Sequence, residues 1–142
     1  MLLPAAMLAA GFTLASCSAL PVLPPRAAST ALGDTGDTRL GKAVLAGTMA
    51  HPGLAGIHPL SDGRDAFAAR AMLAQAAERS LDVQYYIWRN DTTGMLMFDA
   101  LKAAADRGVR VRLLLDDNNT AGLDAVLAQL DAHPQIEIRL FN

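Results

Sequence analysis

The sequence predicts an α/β fold, a three-layer αβα sandwich on a mainly parallel sheet, and three observations carry that prediction. From Asp62 onward, segments with apolar residues at helical spacing alternate with short β-branched or aromatic runs, an order that right-handed crossovers turn into a parallel sheet. Two of those runs, Leu81 to Trp88 and Val109 to Leu115, become apolar on successive residues, as strands covered on both faces require. Each helical segment is preceded by a side chain able to cap free amides: Asp62, then Thr92 or Thr93, then Thr120.

Taken in order, Asp62 caps the first of these helices and Asp65 sits in its positive first turn. Phe67, Ala71, Ala74 and Ala77 share one face, and the helix is expected to run to about Arg79. Leu81 to Trp88 follows and reads as a central strand, β-branched and aromatic. The second helix presents Leu96, Met97, Ala100, Leu101 and Ala104, and Gly108 stops it where a left-handed residue is wanted. Val109 to Leu115 is the second strand. Leu123, Val126, Leu127 and Leu130 mark a third helix that His133-Pro134 ends. Ile136 to Leu140 alternates cleanly, as a strand nearer an edge does. The sequence reaches Asn142 straight off that strand, so the expectation is a domain incomplete at its C-terminal side.

Upstream of this domain the chain reads differently. Residues 1–17 are apolar or small, carry no charge, and are shorter than the roughly 20 residues a spanning helix needs, as in a signal-peptide core. The run closes on Leu14-Ala15-Ser16-Cys17, which resembles a bacterial lipobox in which the Cys17 thiol takes a diacylglyceryl group. It departs from the usual leader in having no Lys or Arg near Met1. Lipid anchoring to a membrane of the bacterial envelope, on its periplasmic or outer side, is the expectation. Residues 18–55 are rich in Pro, Gly, Ala, Ser and Thr and read as a tether. Within it, Arg39 to Met49 suits a short helix or a flexible linker equally, since Leu40, Val44 and Leu45 fall on one face. Residues 56–142 form the globular part.

Composition excludes several classes. A net charge of -2 over 142 residues, 52% of them hydrophobic, describes an ordinary globular chain, without the basic surplus of a nucleic-acid partner. Cys17 is the sole cysteine, so an intrachain disulfide and a four-cysteine zinc site are both ruled out.

Parallel α/β sheets bind ligands beyond the carboxyl ends of their strands, where two polar clusters fall: Trp88-Arg89-Asn90-Asp91 and Asp116-Asp117-Asn118-Asn119. Trp88, Asp91, Asp116, Asp117 and Asn118 are therefore the candidates for a substrate cleft. Turn and cap chemistry explains the same residue types, with Asp116 the exception because it directly ends an apolar strand. Glycine-rich phosphate loops and Gly-x-Ser-x-Gly are absent. His58 and His133 precede proline, as does His51, and all three read as turn residues. Arg110 and Arg112, on alternate positions, read as solvated or paired near a sheet face. No metal or cofactor is called for, and a metal phosphoesterase built on Asp116 and Asp117 lacks a second carboxylate-rich strand end.

Ile57-His58-Pro59-Leu60, Asp62-Gly63-Arg64-Asp65-Ala66-Phe67, Ser80 to Trp88 and Arg110 to Asp117 together resemble the opening of bacterial phospholipase D family proteins of the cardiolipin synthase-like branch. The resemblance implies the first lobe of a two-lobed α/β protein acting on phospholipid phosphodiesters, its second lobe lying outside this sequence. It also implies a chemistry of paired His-x-Lys-x4-Asp motifs. One histidine attacks phosphorus to give a phosphohistidine, the other protonates the departing alcohol, and the lysines hold phosphate oxygens. Lys42 and Lys102 are the only lysines, and Leu40 and Ala100 stand two places before them. No catalytic residue of that kind is therefore expected within these residues, and truncation accounts for this more simply than degeneration. The alternative function is a non-catalytic, membrane-anchored lipoprotein module that binds lipid or a protein partner.

Overall fold

The computed structural model describes residues 25–142. The expected leader, Cys17 and the start of the tether lie outside the described residues. Every helix and strand described falls within one compact unit, Ala31–Asn142.

The first helix, α1, spans Arg39–Met49, so the helical alternative for this stretch holds. The Thr38 hydroxyl caps it by accepting the Gly41 amide at 3.0 Å. It buries none of its residues; polar contacts hold its approach instead. Arg39 pairs with Glu78 at 2.6 Å, while Arg79 donates to the Asp34 carbonyl and reaches the Asp37 carboxylate at 2.7 Å.

Helix α2 spans Gly63–Ala76, with Asp62 accepting the Arg64 and Asp65 amides as expected. Strand β1 (Ser80–Tyr85), helix α3 (Thr92–Asp106), strand β2 (Arg110–Asp116), a short 3-10 turn (Asp117–Asn119), helix α4 (Asp124–Asp131) and strand β3 (Ile136–Phe141) follow. Gly108, at φ 90°, terminates α3 in the left-handed region that a side chain resists.

All three strands run parallel in the order β1-β2-β3. With right-handed crossovers in that order, α3 and α4 fall on the same face of the sheet. Register puts Leu81, Val83 and Tyr85 beside Val111, Leu113 and Leu115, and Val111 and Leu113 beside Ile136 and Ile138. These side chains form one core with Ala74 of α2, Met97, Phe98, Leu101 and Ala104 of α3, and Leu127 and Leu130 of α4. The opposite face carries Asp82, Arg112 and Glu137 in register. The α/β class and the parallel sheet are thus as expected, and the described residues supply the sheet and the helical layer over its apolar face.

Three expectations need correction. β1 is an edge strand among those described, with β2 in the centre. The apolar run that suggested burial on both faces outlasts the strand: β1 stops at Tyr85, Tyr86 and Ile87 are 72% and 47% exposed, and Trp88 turns back into the core. Helix α3 is capped by Asp91 rather than by either threonine, because the Asp91 carboxylate accepts the Gly94 amide at 2.8 Å. Thr120 does not cap α4. Its hydroxyl closes the 3-10 turn on the Asp117 carbonyl at 3.0 Å, and its own carbonyl accepts the Leu123 amide.

Candidate functional site

Because the strands are parallel, their carboxyl ends and the loops that follow converge at one edge of the sheet. There the loop after β1 and the turn after β2 enclose a cavity of about 440 Å³, lined by Trp88, Arg89, Asn90 and Asp91 on one side and Asn118 and Asn119 on the other. Of the sequence candidates, Trp88, Asp91 and Asn118 are therefore brought together. Asp116 and Asp117 are not among the lining groups.

Each has a definite local role. Trp88 is 5% exposed, stacks on Phe98 at 4.3 Å between ring centroids, and meets Tyr85 edge-on at 4.7 Å. Its indole nitrogen has no hydrogen-bond partner among the described residues. The ring lies against Gly94: a Cβ there would come within 3.1 Å of that nitrogen and overlap the Arg89 carbonyl. Glycine in the first turn of α3 is what lets the loop close over the helix. Asp91 accepts the Gly94 amide and the Thr93 hydroxyl, each at 2.8 Å, and these bonds, the Gly94 amide foremost, hold its carboxyl below the usual carboxylate range.

Asp116 is buried, 7% exposed, and both of its oxygens are engaged. One accepts the Asn118 amide at 3.0 Å, the other the Asn142 side-chain amide at 2.7 Å. It thereby fixes the turn after β2 against the end of β3. Asp117 accepts the Thr120 hydroxyl at 3.2 Å. The adjacent carboxylates thus serve separate structural bonds, and among the described residues no three His, Cys, Asp or Glu groups converge to hold a metal ion.

A second cavity of about 230 Å³ adjoins the first through Trp88, Arg89 and Asp91, and sequence reasoning missed one of its walls. Arg70 of α2 donates to the Tyr85 hydroxyl at 3.0 Å and holds its guanidinium 5.5 Å from that ring's centroid. Its spacing from Phe67 and Ala74 was the available signal, since it places Arg70 beside the inward face of α2. His133 sits before β3, away from the strand ends, with Nε2 3.2 Å from the Asp106 carboxylate. The cavities accordingly offer amides, a guanidinium, an aromatic wall and the Asp91 carboxylate: groups that can bind and orient a polar ligand.

Comparison with known proteins places this geometry. A family model described as cardiolipin synthase, PLD-like domain, matches residues 70–141. The chain belongs to this phospholipase D-like cardiolipin synthase family. Cardiolipin synthase C of Escherichia coli strain K12 is 64% identical over 104 residues, 73% of this chain and 22% of that protein. A cardiolipin synthase of Oceanobacillus iheyensis is 34% identical over 68 residues, 48% of this chain and 14% of that one. The chain thus spans about a fifth or less of the length of these relatives. Among solved structures, that of TrmBL2, an archaeal chromatin protein, overlays with a TM-score of 0.48 at 15% identity, covering 72% of this chain and 40% of that one. For this member of the cardiolipin synthase family, the matched residues take in Arg70, both strand-end clusters and β3.

Proposed function

We propose that this chain forms the strand-end wall of a phospholipase D-type site that transfers or hydrolyses phosphatidyl groups, and that it binds substrate without supplying the attacking group. The observation that carries the reading is the shared cavity of the Trp88–Asp91 and Asn118–Asn119 segments, within a stretch akin to cardiolipin synthases. Arg89 is a cation suited to a phosphodiester's oxygens, and the amides of Asn90 and Asn118 suit its ester or alcohol oxygens. In the family's chemistry a phosphorus–nitrogen bond to histidine forms as the phosphorus–oxygen bond to the leaving alcohol breaks, a second histidine giving its proton to that alcohol; an acceptor alcohol or water then breaks the phosphorus–nitrogen bond and gives its proton to the second histidine. Those histidines come from polypeptide outside these residues, because no His-x-Lys pair occurs here.

The test is a chimera in which the matched 104-residue stretch replaces its counterpart in Escherichia coli cardiolipin synthase C, expressed in cells that make no cardiolipin of their own. Cardiolipin in the lipid extract is the expected result. A chimera that accumulates to normal levels and yields none rules the reading out.

Anchoring by Cys17 belongs to the same proposal and rests on the Leu14-Ala15-Ser16-Cys17 sequence. Two or three acyl chains, at about 0.8 kcal/mol per buried methylene, hold a protein stably where one chain does not. Mass spectrometry of the membrane fraction should find a chain beginning at acylated Cys17, and Cys17→Ser should release the protein or block its processing. An unmodified Cys17 still preceded by Met1 to Ser16 removes the anchor.

A further inference from the structure

The second cavity, of about 230 Å³, holds hydrogen-bonding groups that the fold leaves unused. Arg70 spends Nε on the Ala66 carbonyl at 2.9 Å and Nη1 on the Tyr85 hydroxyl at 3.0 Å. The Tyr85 oxygen therefore accepts, and its own hydrogen meets no acceptor among the described residues. Trp88, edge-on to Tyr85, keeps a buried indole N–H without a partner among those residues, beside Gly94, another wall of the cavity. Buried donors in folded proteins are as a rule paired, so what enters the cavity completes the set. The same cavity holds an acceptor. Asp91 takes the Gly94 amide and the Thr93 hydroxyl on Oδ1, and Oδ2 is left to receive a ligand's hydroxyl. The Gly94 amide and then the Thr93 hydroxyl hold its carboxyl below the ordinary carboxylate range, so that it is ionised at neutral pH.

Charge balance selects the ligand. Arg89 lines both cavities and, in the proposed function, meets the phosphodiester. Arg70 and Asp91 then remain, one cation and one anion. An acidic ligand is repelled by Asp91 and a basic one by Arg70, whereas a neutral group with several hydroxyls satisfies both. Each of its hydroxyls accepts from Tyr85 or Arg70 while donating to Asp91, and its carbon chain lies against Phe67 and the Trp88 ring. We infer, on the phosphatidyl-transfer reading, that Tyr85 and Asp91 bind the acceptor alcohol as a polyol and that Arg70 positions the Tyr85 hydroxyl for it. These side chains, rather than the groups on phosphorus, choose the acceptor.

The experiment gives the full-length chimera with Escherichia coli cardiolipin synthase C a choice of added acceptors, deuterated glycerol or propan-1-ol. Phosphatidylglycerol in detergent micelles is the donor, and mass spectrometry counts deuterated phosphatidylglycerol and phosphatidylpropanol. The parent chimera should half-saturate at a several-fold lower concentration of glycerol than of propan-1-ol. Tyr85→Phe, which keeps the ring and removes the hydroxyl, should raise the half-saturating glycerol concentration about three- to tenfold and narrow the preference. Asp91→Asn, whose side chain still caps α3, should do the same. Arg70→Gln should weaken glycerol use in the parent and add nothing to Tyr85→Phe. Tyr86→Phe, at a residue 72% exposed and outside the cavity, should change neither acceptor. A parent that uses the two alcohols equally overturns the inference, as does a preference in Tyr85→Phe and Asp91→Asn equal to that of Tyr86→Phe. Independent losses from Arg70→Gln and Tyr85→Phe overturn the positioning role of Arg70. A chimera that accumulates normally and transfers to no acceptor at all defeats the phosphatidyl-transfer reading and this inference with it, so the two failures are told apart.

Discussion

Asp116 shows how a single buried carboxylate organises the strand ends. It binds two donors, the Asn118 amide and the Asn142 side chain, and so ties the turn after β2 to the end of β3. Asp116→Ala strands both donors and is expected to cost about 1–3 kcal/mol, lowering the urea midpoint at unchanged slope. A loss below about 0.5 kcal/mol, the scale of an ordinary surface substitution, contradicts the bridging role. Sequence singled out Asp116 as the exception to turn and cap chemistry, because it directly ends an apolar strand; in the structure its carboxylate accepts the Asn118 amide as the cap of the 3-10 turn. The partner was not legible, because Asn142 is far from it in sequence and is brought near only by the pairing of β2 with β3. Nor was the cap of α3: Asp91, Thr92 and Thr93 are all capable, and Asp91 takes the role, with Thr93 donating to its carboxylate.

At the scale of the elements, the sheet's polar face is organised by register. Asp82, Arg112 and Glu137 lie side by side across β1, β2 and β3, and Arg112 contacts Asp82 at 2.6 Å. The hydrogen bond from Arg112 is the main cause that holds the Asp82 carboxyl below its ordinary value of 3.8. A carboxyl depressed in the folded state stabilises the fold above the unfolded value and loses that contribution as pH falls through the lower, folded value. Thermal midpoints should therefore fall less steeply in Asp82→Asn than in the parent as pH drops from about 5 to 3. Salt should shrink the difference, since the Asp82 side chain is 38% exposed. Identical profiles for the two proteins contradict this. The alternation of Ile136 to Leu140 announced a strand nearer an edge, and β3 is an edge strand among those described, whereas Tyr85 to Trp88 misled because an aromatic that leaves a strand to fill the core looks, in sequence, like one that stays in it.

For the molecule as a whole, the order of elements and the location of the candidate site were legible because both follow from periodicity: parallel strands gather their carboxyl ends, and polar clusters after them meet. Arg70 was not, since its place depends on how α2 packs against α3 and β1. The account's central claim is that the Arg89 and Asn118 side of the sheet faces substrate while the opposite end does not. Cardiolipin formed by the chimera with Escherichia coli cardiolipin synthase C tests it most directly. Arg89→Ala and Asn118→Ala should each lower the rate about tenfold or more, equivalent to about 1.4 kcal/mol of lost transition-state binding, and Lys102→Gln, in the ion pair with Asp106, should leave it unchanged. Equal rates for all three variants, or a loss confined to Lys102→Gln, contradict the claim.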